Sequence, residues 1–343
     1  GGQNLNENNF IETLLAVYNN DLHDKIGKFC SESRVAASGT SYNQIIDIQP
    51  SHLIRMAVGL GFHRARLKYG YKLLRGKDLE TGIVSEETRD KNISIFKSAI
   101  DNVTNLNNWH SFLNLFAEAG YLNKSLVASN YVVVFSYVLY LIGKNEYKVN
   151  PVELRKVITR WIFMSTVTSF YSSSPESTVE RQLADLRSIS DACGFVAYLN
   201  QTIKQRMNDS YFNVELINGL TSSSATSPVW FGYIASINVL GTPMLFSNTP
   251  LSKYWVLGSD GMKKAIDKHH IFPKQYLADI GIPDDRDRNQ LANFTYLDFN
   301  TNIDISDDAP ALYVERYKAK LGEKEYAKAC ADNALPKNGE TLN

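Results

Sequence analysis

Apolar residues recur every three or four positions through most of the first two thirds of the chain, and this period restricts the fold more than any other feature. The first such series starts after Asn6, a residue type suited to cap a helix. Another starts at Asn150, where a capping residue precedes a first-turn proline. Further series cover 85–119 and 190–207. The spacing therefore predicts long amphipathic helices that bury their apolar faces against one another.

The segment from Tyr131 to Ile142 is apolar on every side, so its period cannot distinguish a central helix from a buried strand. We favour a helix because the neighbouring segments are helical. Extended to Gly143, the segment is about 13 residues long, against the ~20 that a membrane-spanning helix requires. We therefore expect a folded protein without a membrane partner.

The charges of the chain balance, with 36 basic and 36 acidic side chains, so no overall field attracts it to nucleic acid. Any contact with DNA must come from a local patch. The three cysteines are far apart in sequence, which argues against a zinc ribbon and against a disulfide scaffold, and indicates a reducing cytoplasm. They are Cys30, Cys193 and Cys330.

Serine- and proline-rich stretches at 172–175, 221–228 and 247–250 predict surface loops, and we place a domain boundary among the last two. Beyond that point the short runs 254–257 and 294–297 have strand-like composition. The predicted fold class is mainly α, with a bundle-like helical domain followed by a small α+β domain. The predicted domains are 1–240 and 241–343.

Polar residues suited to catalysis concentrate in KHHIFPK, at 268–274, and in the stretch that starts at residue 291. His269 and His270 would alternate faces on a strand, so both serve one site only where the strand ends and the chain turns. Asn293 stands at the entry of the second predicted strand, and Asn302 falls in the first turn of a helix predicted over 300–307. Two strands and a helix would thus bring these four side chains together.

The order His-His, then Asn-x-x-x-Leu, then a second Asn nine residues after the first resembles the ββα-metal (His-Asn-His, HNH) nuclease motif. The run HHIFPK…N…L…N..IS resembles the branch found in GmrSD-like type IV restriction enzymes. Residues 62–82, with NNWHSFL and AEAG further on, look like the helical middle of that family. The opening GGQNLNENNFIETLL is similar to the point where the family's N-terminal ParB-like nucleotide-binding domain ends.

By this resemblance the chain is part of a longer protein whose nucleotide-binding domain lies outside these 343 residues, as the opening Gly-Gly in place of Met also suggests. Its C-terminal end is expected to stop before the family's closing helix. The resemblance implies a metal-dependent DNA endonuclease or nickase of a restriction, anti-phage defence system. It implies that His270 is the general base and that Asn293 holds the His270 ring through a hydrogen bond.

The resemblance also makes His269 and Asn302 ligands of a divalent cation. We expect Mg²⁺ or Mn²⁺, because oxygen ligands favour Mg²⁺, although an imidazole also tolerates Mn²⁺, Ni²⁺ or Zn²⁺. Lys274 and Ser306 are candidates to contact phosphate, with a solvated lysine and a capping serine as the alternatives. Asn302, like Asn300, is also suited to cap a helix.

The competing hypothesis is a non-catalytic, helical DNA- or protein-binding regulatory module with a degenerate nuclease motif. A histidine pair on its own is more often a surface feature or a satisfied core histidine than a catalytic site. Cleavage of RNA by the same site is a further alternative, since attack by water does not require a 2′-hydroxyl.

A second candidate for DNA contact is a basic stripe with spacings of four, four and three residues, which would lie on one face of a helix. The favoured alternative is a solvated face paired with nearby glutamates, because Gly70 is expected to interrupt the helix. The tryptophans lack interleaved charges and are expected in the core. The stripe comprises Arg64, Lys68, Lys72 and Arg75, the glutamates are Glu80, Glu86 and Glu87, and the tryptophans are Trp109, Trp161, Trp230 and Trp255.

Overall fold

The computed structural model describes residues 7–33, 43–224, 226–255 and 266–335, and it is mainly helical with one two-stranded sheet. The described residues form two compact units. The first unit holds 7–33, 43–118 and 129–206, and the second holds 119–128 together with the described residues from 207 onward. No described helix is both long enough and apolar enough to cross a lipid bilayer.

The division between the units lies at 206/207, whereas the serine-rich loops predict 240/241. The helix Pro228–Leu240 accounts for the difference, because it belongs to the second unit and packs against a short turn at Lys124–Leu126. That helix is apolar, and its few polar residues do not mark one exposed face, so its sequence does not reveal which unit it joins.

All regular elements in the described residues of the first unit are α-helices. α7 is buried almost all round and contacts α3, α6 and α8, which confirms the helical interpretation of the apolar segment that begins at Tyr131. The helices are α1 (Glu7–Tyr18), α2 (Asn20–Glu32), α3 (Pro50–Phe62), α4 (Leu67–Leu74), α5 (Glu86–Val103), α6 (Leu106–Glu118), α7 (Asn130–Asn145), α8 (Pro151–Val167), α9 (Pro175–Leu186) and α10 (Ala192–Arg206).

Two of the predicted long helices are each divided in two by polar residues that bond to the backbone. Asn19 separates α1 from α2, and its side chain accepts from the backbone N–H of Leu22. Asn105 separates α5 from α6, and its Oδ1 accepts from the backbone N–H of Asn108. Such side chains compete with the helical hydrogen bonds and interrupt the helix. The apolar period of the sequence continues across the break and therefore does not reveal it.

Gly70 lies inside α4 and does not interrupt it, contrary to the sequence-based expectation. Its missing side chain serves packing instead, because a Cβ on Gly70 would lie 2.7 Å from Cγ2 of Val58 on α3. The glycine therefore allows α4 to approach α3 closely.

The second unit contains shorter elements around the sheet. A π-helical turn at Tyr211–Glu215 leads into α11, and 3₁₀ turns occupy Lys124–Leu126, Leu251–Tyr254 and Leu291–Asn293. The remaining elements are α11 (Leu216–Leu220), α12 (Pro228–Leu240), β1 (Ile266–His270), α13 (Lys274–Asp279), α14 (Asp285–Arg288), β2 (Phe294–Asp298), α15 (Phe299–Ile305), α16 (Pro310–Leu321) and α17 (Glu323–Asp332).

The strand expected at 294–297 is confirmed as β2, but the one expected at 254–257 is not observed. Tyr254 ends a 3₁₀ turn, and residues 256 and 257 lie outside the described residues. The partner of β2 is β1, in antiparallel register with His270 opposite Phe294. Two short helices, α13 and α14, lie between the strands in the chain, and α15 follows directly after β2.

The two-stranded ribbon packs on both faces. Antiparallel partners share a face, so Lys268, His270, Phe294 and Tyr296 lie on one side. There the Trp230 ring of α12 contacts Phe294 and Tyr296, with centroids 6.1 and 5.7 Å apart. The opposite face packs on an apolar cluster formed by the loop after α12 and by α15, α16 and α17. That cluster comprises Leu245, Phe246, Leu297, Ile305, Tyr313, Tyr317, Tyr326 and Cys330.

Gly120 provides a test of the packing within the second unit. Its φ is +87°, and a Cβ there would lie 2.1 Å from the carbonyl oxygen of Ala235 on α12. Gly120→Ala should lower the free energy of unfolding by about 3 kcal/mol, through backbone strain plus a steric clash. Urea denaturation measures the loss.

Gly241 is the matched control, because its φ is +63° and a Cβ would meet nothing within 4 Å. Gly241→Ala should cost about 1 kcal/mol from backbone strain alone. Equal losses for the two variants would contradict the packing described for Gly120.

Candidate active site

The predicted site residues meet where β1 ends. After His270 the chain turns through Pro273 into α13, and both histidines of the pair line one cavity of about 440 Å³. Asn302 and Lys274 also line this cavity, whereas Asn293 does not. Its full lining is Lys268, His269, His270, Pro273, Lys274, Asn302, Ile303, Ser306 and Asp307.

His270 is oriented by Asn289. The His270 Nε2 lies 3.0 Å from Oδ1 of Asn289, and Nδ2 of Asn289 donates to the backbone carbonyl of Asp285 at 2.6 Å. Because that second bond fixes the amide, Oδ1 faces the imidazole, Nε2 is the protonated nitrogen, and Nδ1 keeps its lone pair. The ring also packs on Phe294, with centroids 4.4 Å apart.

Burial lowers the pKa of His270 below its usual value of 6.5. The hydrogen bond that His270 donates to Asn289 opposes this shift, and the positive charges of Lys274 and Lys268 add to it. His270 is therefore neutral at neutral pH, the form that a general base requires.

Asn293 does not hold the His270 ring, which corrects the role that the resemblance implied. Its Oδ1 accepts from the backbone N–H of Phe272 at 2.8 Å, and its Nδ2 donates to the carbonyls of Phe272 and Arg288, both at 3.0 Å. The side chain thus joins the two ends of the loop between the strands. Asn289 takes the expected place beside His270, and the sequence carries no spacing signal that separates these two asparagines.

On the opposite face of β1, His269 meets Asn302 of α15. The His269 Nδ1 lies 2.8 Å from Oδ1 of Asn302, whose Nδ2 donates to Oδ2 of Asp267 at 3.2 Å. Asp267 was missed in the sequence, although two-residue alternation along a strand places it on the same face as His269. Asn302 does not cap its helix, because Asp298 does so by accepting from the backbone N–H of Thr301.

The donors around His269 fit a divalent cation in chemical type. His269 is 5% exposed, and its Nε2 is buried without a hydrogen-bond partner. With Asn302 and Asp267 it offers an imidazole nitrogen, an amide oxygen and a carboxylate, a set suited to Mg²⁺ or Mn²⁺. Burial lowers the pKa of His269, which favours the neutral form that ligates metals. Across the described ranges, no three histidine, cysteine or acidic side chains cluster as a metal site.

The rest of the cavity wall holds two lysines and one carboxylate, that of Asp307, and its backbone is strained at Ser306. Lys274 is exposed in the first turn of α13, and Lys268 is half-buried, which lowers its pKa. Ser306 has φ 48° and ψ −123°, an unfavourable conformation for a residue with a side chain, and its backbone N–H donates to the carbonyl of Asn302. Ser306 therefore ends α15 rather than capping the start of a helix.

The predicted basic stripe lies in the first unit, and only part of it is helical. Arg64 precedes α4 and pairs with Glu180 at 2.9 Å. Lys68 and Lys72 are exposed on α4, and Arg75 follows the last residue of that helix. No ion pair in the described part of the chain joins these three to the glutamates at 80, 86 and 87, so the expected pairing is not observed. Lys68 and Arg75 instead lie over the rings of Tyr69 and Tyr71.

No protein-family model matches the chain, and no curated protein matches it at a significant level.

Asn293 is expected to act on stability rather than on the chemistry of His270. Asn293→Ala removes three hydrogen bonds to partly buried backbone groups and should lower the free energy of unfolding by about 2–3 kcal/mol. Asn300→Ala is the control, because Asn300 is exposed on α15 and should change stability by less than about 0.5 kcal/mol. The melting temperatures of the two variants are measured by thermal unfolding. Equal melting temperatures would contradict the stabilising role of the Asn293 side chain.

Proposed function

We propose that the second unit is a metal-dependent endonuclease or nickase that hydrolyses phosphodiester bonds of DNA. One observation carries the proposal: His270, oriented by Asn289, lines the same cavity as His269 and Asn302, and Asp267 accepts from the Asn302 amide behind them. The two lysines of the cavity wall supply positive charge for an anionic substrate.

In the proposed reaction, Nδ1 of His270 removes a proton from the attacking water, whose oxygen bonds to phosphorus as the bond from phosphorus to the 3′ oxygen breaks. The 3′ oxygen leaves with that electron pair and takes up a proton from solvent. The Nε2–H bond to Asn289 holds the ring in place and stabilises the imidazolium that forms. Asn302, His269 and Asp267 would hold the divalent cation. When bound, such an ion supplies positive charge that offsets the charge developing on the phosphate.

The biological setting rests on the resemblance alone. It suggests restriction of foreign DNA in the cytoplasm, with DNA engagement assisted by the nucleotide-binding domain expected upstream. Lys68 and Lys72 of α4 and Arg75 directly after it are proposed as an additional contact to the DNA backbone.

One observation favours the non-catalytic alternative. The His269 Nδ1 and Asn302 Oδ1 atoms contact each other directly at 2.8 Å, so this pair satisfies itself without a cation. A calorimetric titration with Mn²⁺ distinguishes the two functions. Binding that is lost in Asn302→Ala supports the nuclease, and no binding at millimolar Mn²⁺ supports the alternative.

Removal of the proposed base should abolish cutting. With supercoiled plasmid and Mg²⁺ or Mn²⁺, His270→Ala should lower the nicking rate by about 10²–10⁴-fold, the usual contribution of a general base. His23→Ala is the matched control, since His23 is exposed on α2, and it should nick like the unaltered protein. Equal nicking by His270→Ala and the unaltered protein would exclude His270 as the base.

The pH dependence of cutting should follow the lowered pKa of His270. Because the base must be unprotonated, the rate should rise with pH and reach its half-maximal value below pH 6.5. Asn289→Ala removes the hydrogen bond that raises this pKa, so its rising limb should shift to still lower pH. Single-turnover rates between about pH 4.5 and 8 test this, and a midpoint above the usual histidine value would contradict it.

A further inference from the structure

Lys268 lies beside the proposed base, and so far its only role is to supply positive charge to the cavity wall. It lies two residues before His270 on the same face of β1, and both side chains line the cavity. Two strand residues span about 6.6 Å, so the two side chains can reach a phosphate and the water that attacks it.

Aromatic rings hold the Lys268 ammonium in place. Its Nζ lies 3.6 Å from the centroid of Phe294 and 4.8 Å from that of Trp230. Trp230 is itself stacked on Tyr233 and Tyr296, at 5.3 and 5.7 Å, so two neighbouring rings hold the Trp230 ring in place. His270 rests on the same Phe294 ring, which therefore sets the position of the ammonium relative to the imidazole.

The aromatic rings attract the charge of Lys268 but leave its N–H donors unused. Within the described ranges, no carboxylate pairs with Lys268 and no oxygen accepts from it. Lys25, by contrast, pairs with Asp101, and Lys318 pairs with Glu323 at 3.1 Å. A half-buried ammonium with three free donors is suited to bind an anionic oxygen.

We propose that Lys268 is a further catalytic residue, which donates to a non-bridging oxygen of the phosphate under attack by the water that His270 activates. This inference rests on the proposed nuclease function. The contact would strengthen as negative charge develops on the phosphate, so it contributes more to the rate than to the affinity for DNA.

Lys268→Met tests the proposal, because it removes the charge and keeps an unbranched apolar side chain against the rings. In single-turnover plasmid cleavage it should be slower by about 100-fold, and Lys268→Arg should recover part of the rate. Lys320→Met is the matched control, since Lys320 also lies over an aromatic ring, 5.2 Å from the centroid of Tyr317, but outside the cavity. It should cut like the unaltered protein.

A second measurement does not depend on cutting. Binding of a short DNA duplex is followed at several salt concentrations without divalent cation. Lys268→Met should reduce the slope of log K against log salt by about 1, the signature of one lost phosphate contact, while Lys320→Met leaves it unchanged. Lys268→Gln serves as a second neutral variant. The salt slopes of both variants are compared with that of the unaltered protein once thermal unfolding has shown that the melting temperatures are equal.

The two measurements separate this inference from the proposed function. If the unaltered protein and His270→Ala cut equally, the nuclease proposal fails, and the salt slope still decides whether Lys268 binds phosphate. If the unaltered protein cuts and the neutral Lys268 variants cut as fast, the inference is overturned. An unchanged slope, or no salt-dependent binding by the unaltered protein, overturns it as well.

Discussion

The antiparallel pairing of β1 with β2 is the constraint on which the candidate site depends. Because side chains alternate along a strand, this pairing divides KHH between two faces that are packed by different elements. The Lys268 and His270 face rests on the aromatic side chains of α12 and β2, and the His269 face rests on α15 and α16. A shift of one residue in register would exchange these two sets of side chains.

Side-chain amides define the chemistry of both histidines. Asn289 and Asn302 each present an oxygen to an imidazole nitrogen, and each has its own amide nitrogen fixed by a second acceptor. The acceptors differ, because one is a backbone carbonyl and the other is the Asp267 carboxylate. As a result His270 is positioned by the backbone of α14 through Asn289. His269, by contrast, is hydrogen-bonded to Asn302, which is in turn hydrogen-bonded to the Asp267 carboxylate.

Sequence patterns predicted the helices that carry their own local signals, such as α8 at Asn150 and the apolar α7, together with strand β2. They missed the breaks at Asn19 and Asn105, because the apolar period continues through a capping residue. At the site, spacing placed the histidine pair and Asn302 at one cavity. It could not separate Asn293 from Asn289, because amides of identical chemistry differ only in the partners that the folded chain brings to them.

The hydrogen bonds of the Asn293 side chain limit where the segment between β1 and β2 can change in length. Together with the hydrogen bond from the Ile271 N–H to the Asn293 carbonyl at 2.9 Å, the Asn293 side chain joins the two ends of the segment between β1 and β2. The tip around Gly281 is exposed and makes few hydrogen bonds to the rest of the unit. Asn289, which orients His270, and Asp285, which fixes the Asn289 amide, lie within the same segment, directly after the tip. A foreign recognition peptide grafted at the tip therefore leaves His270 in place only if α14 keeps its position.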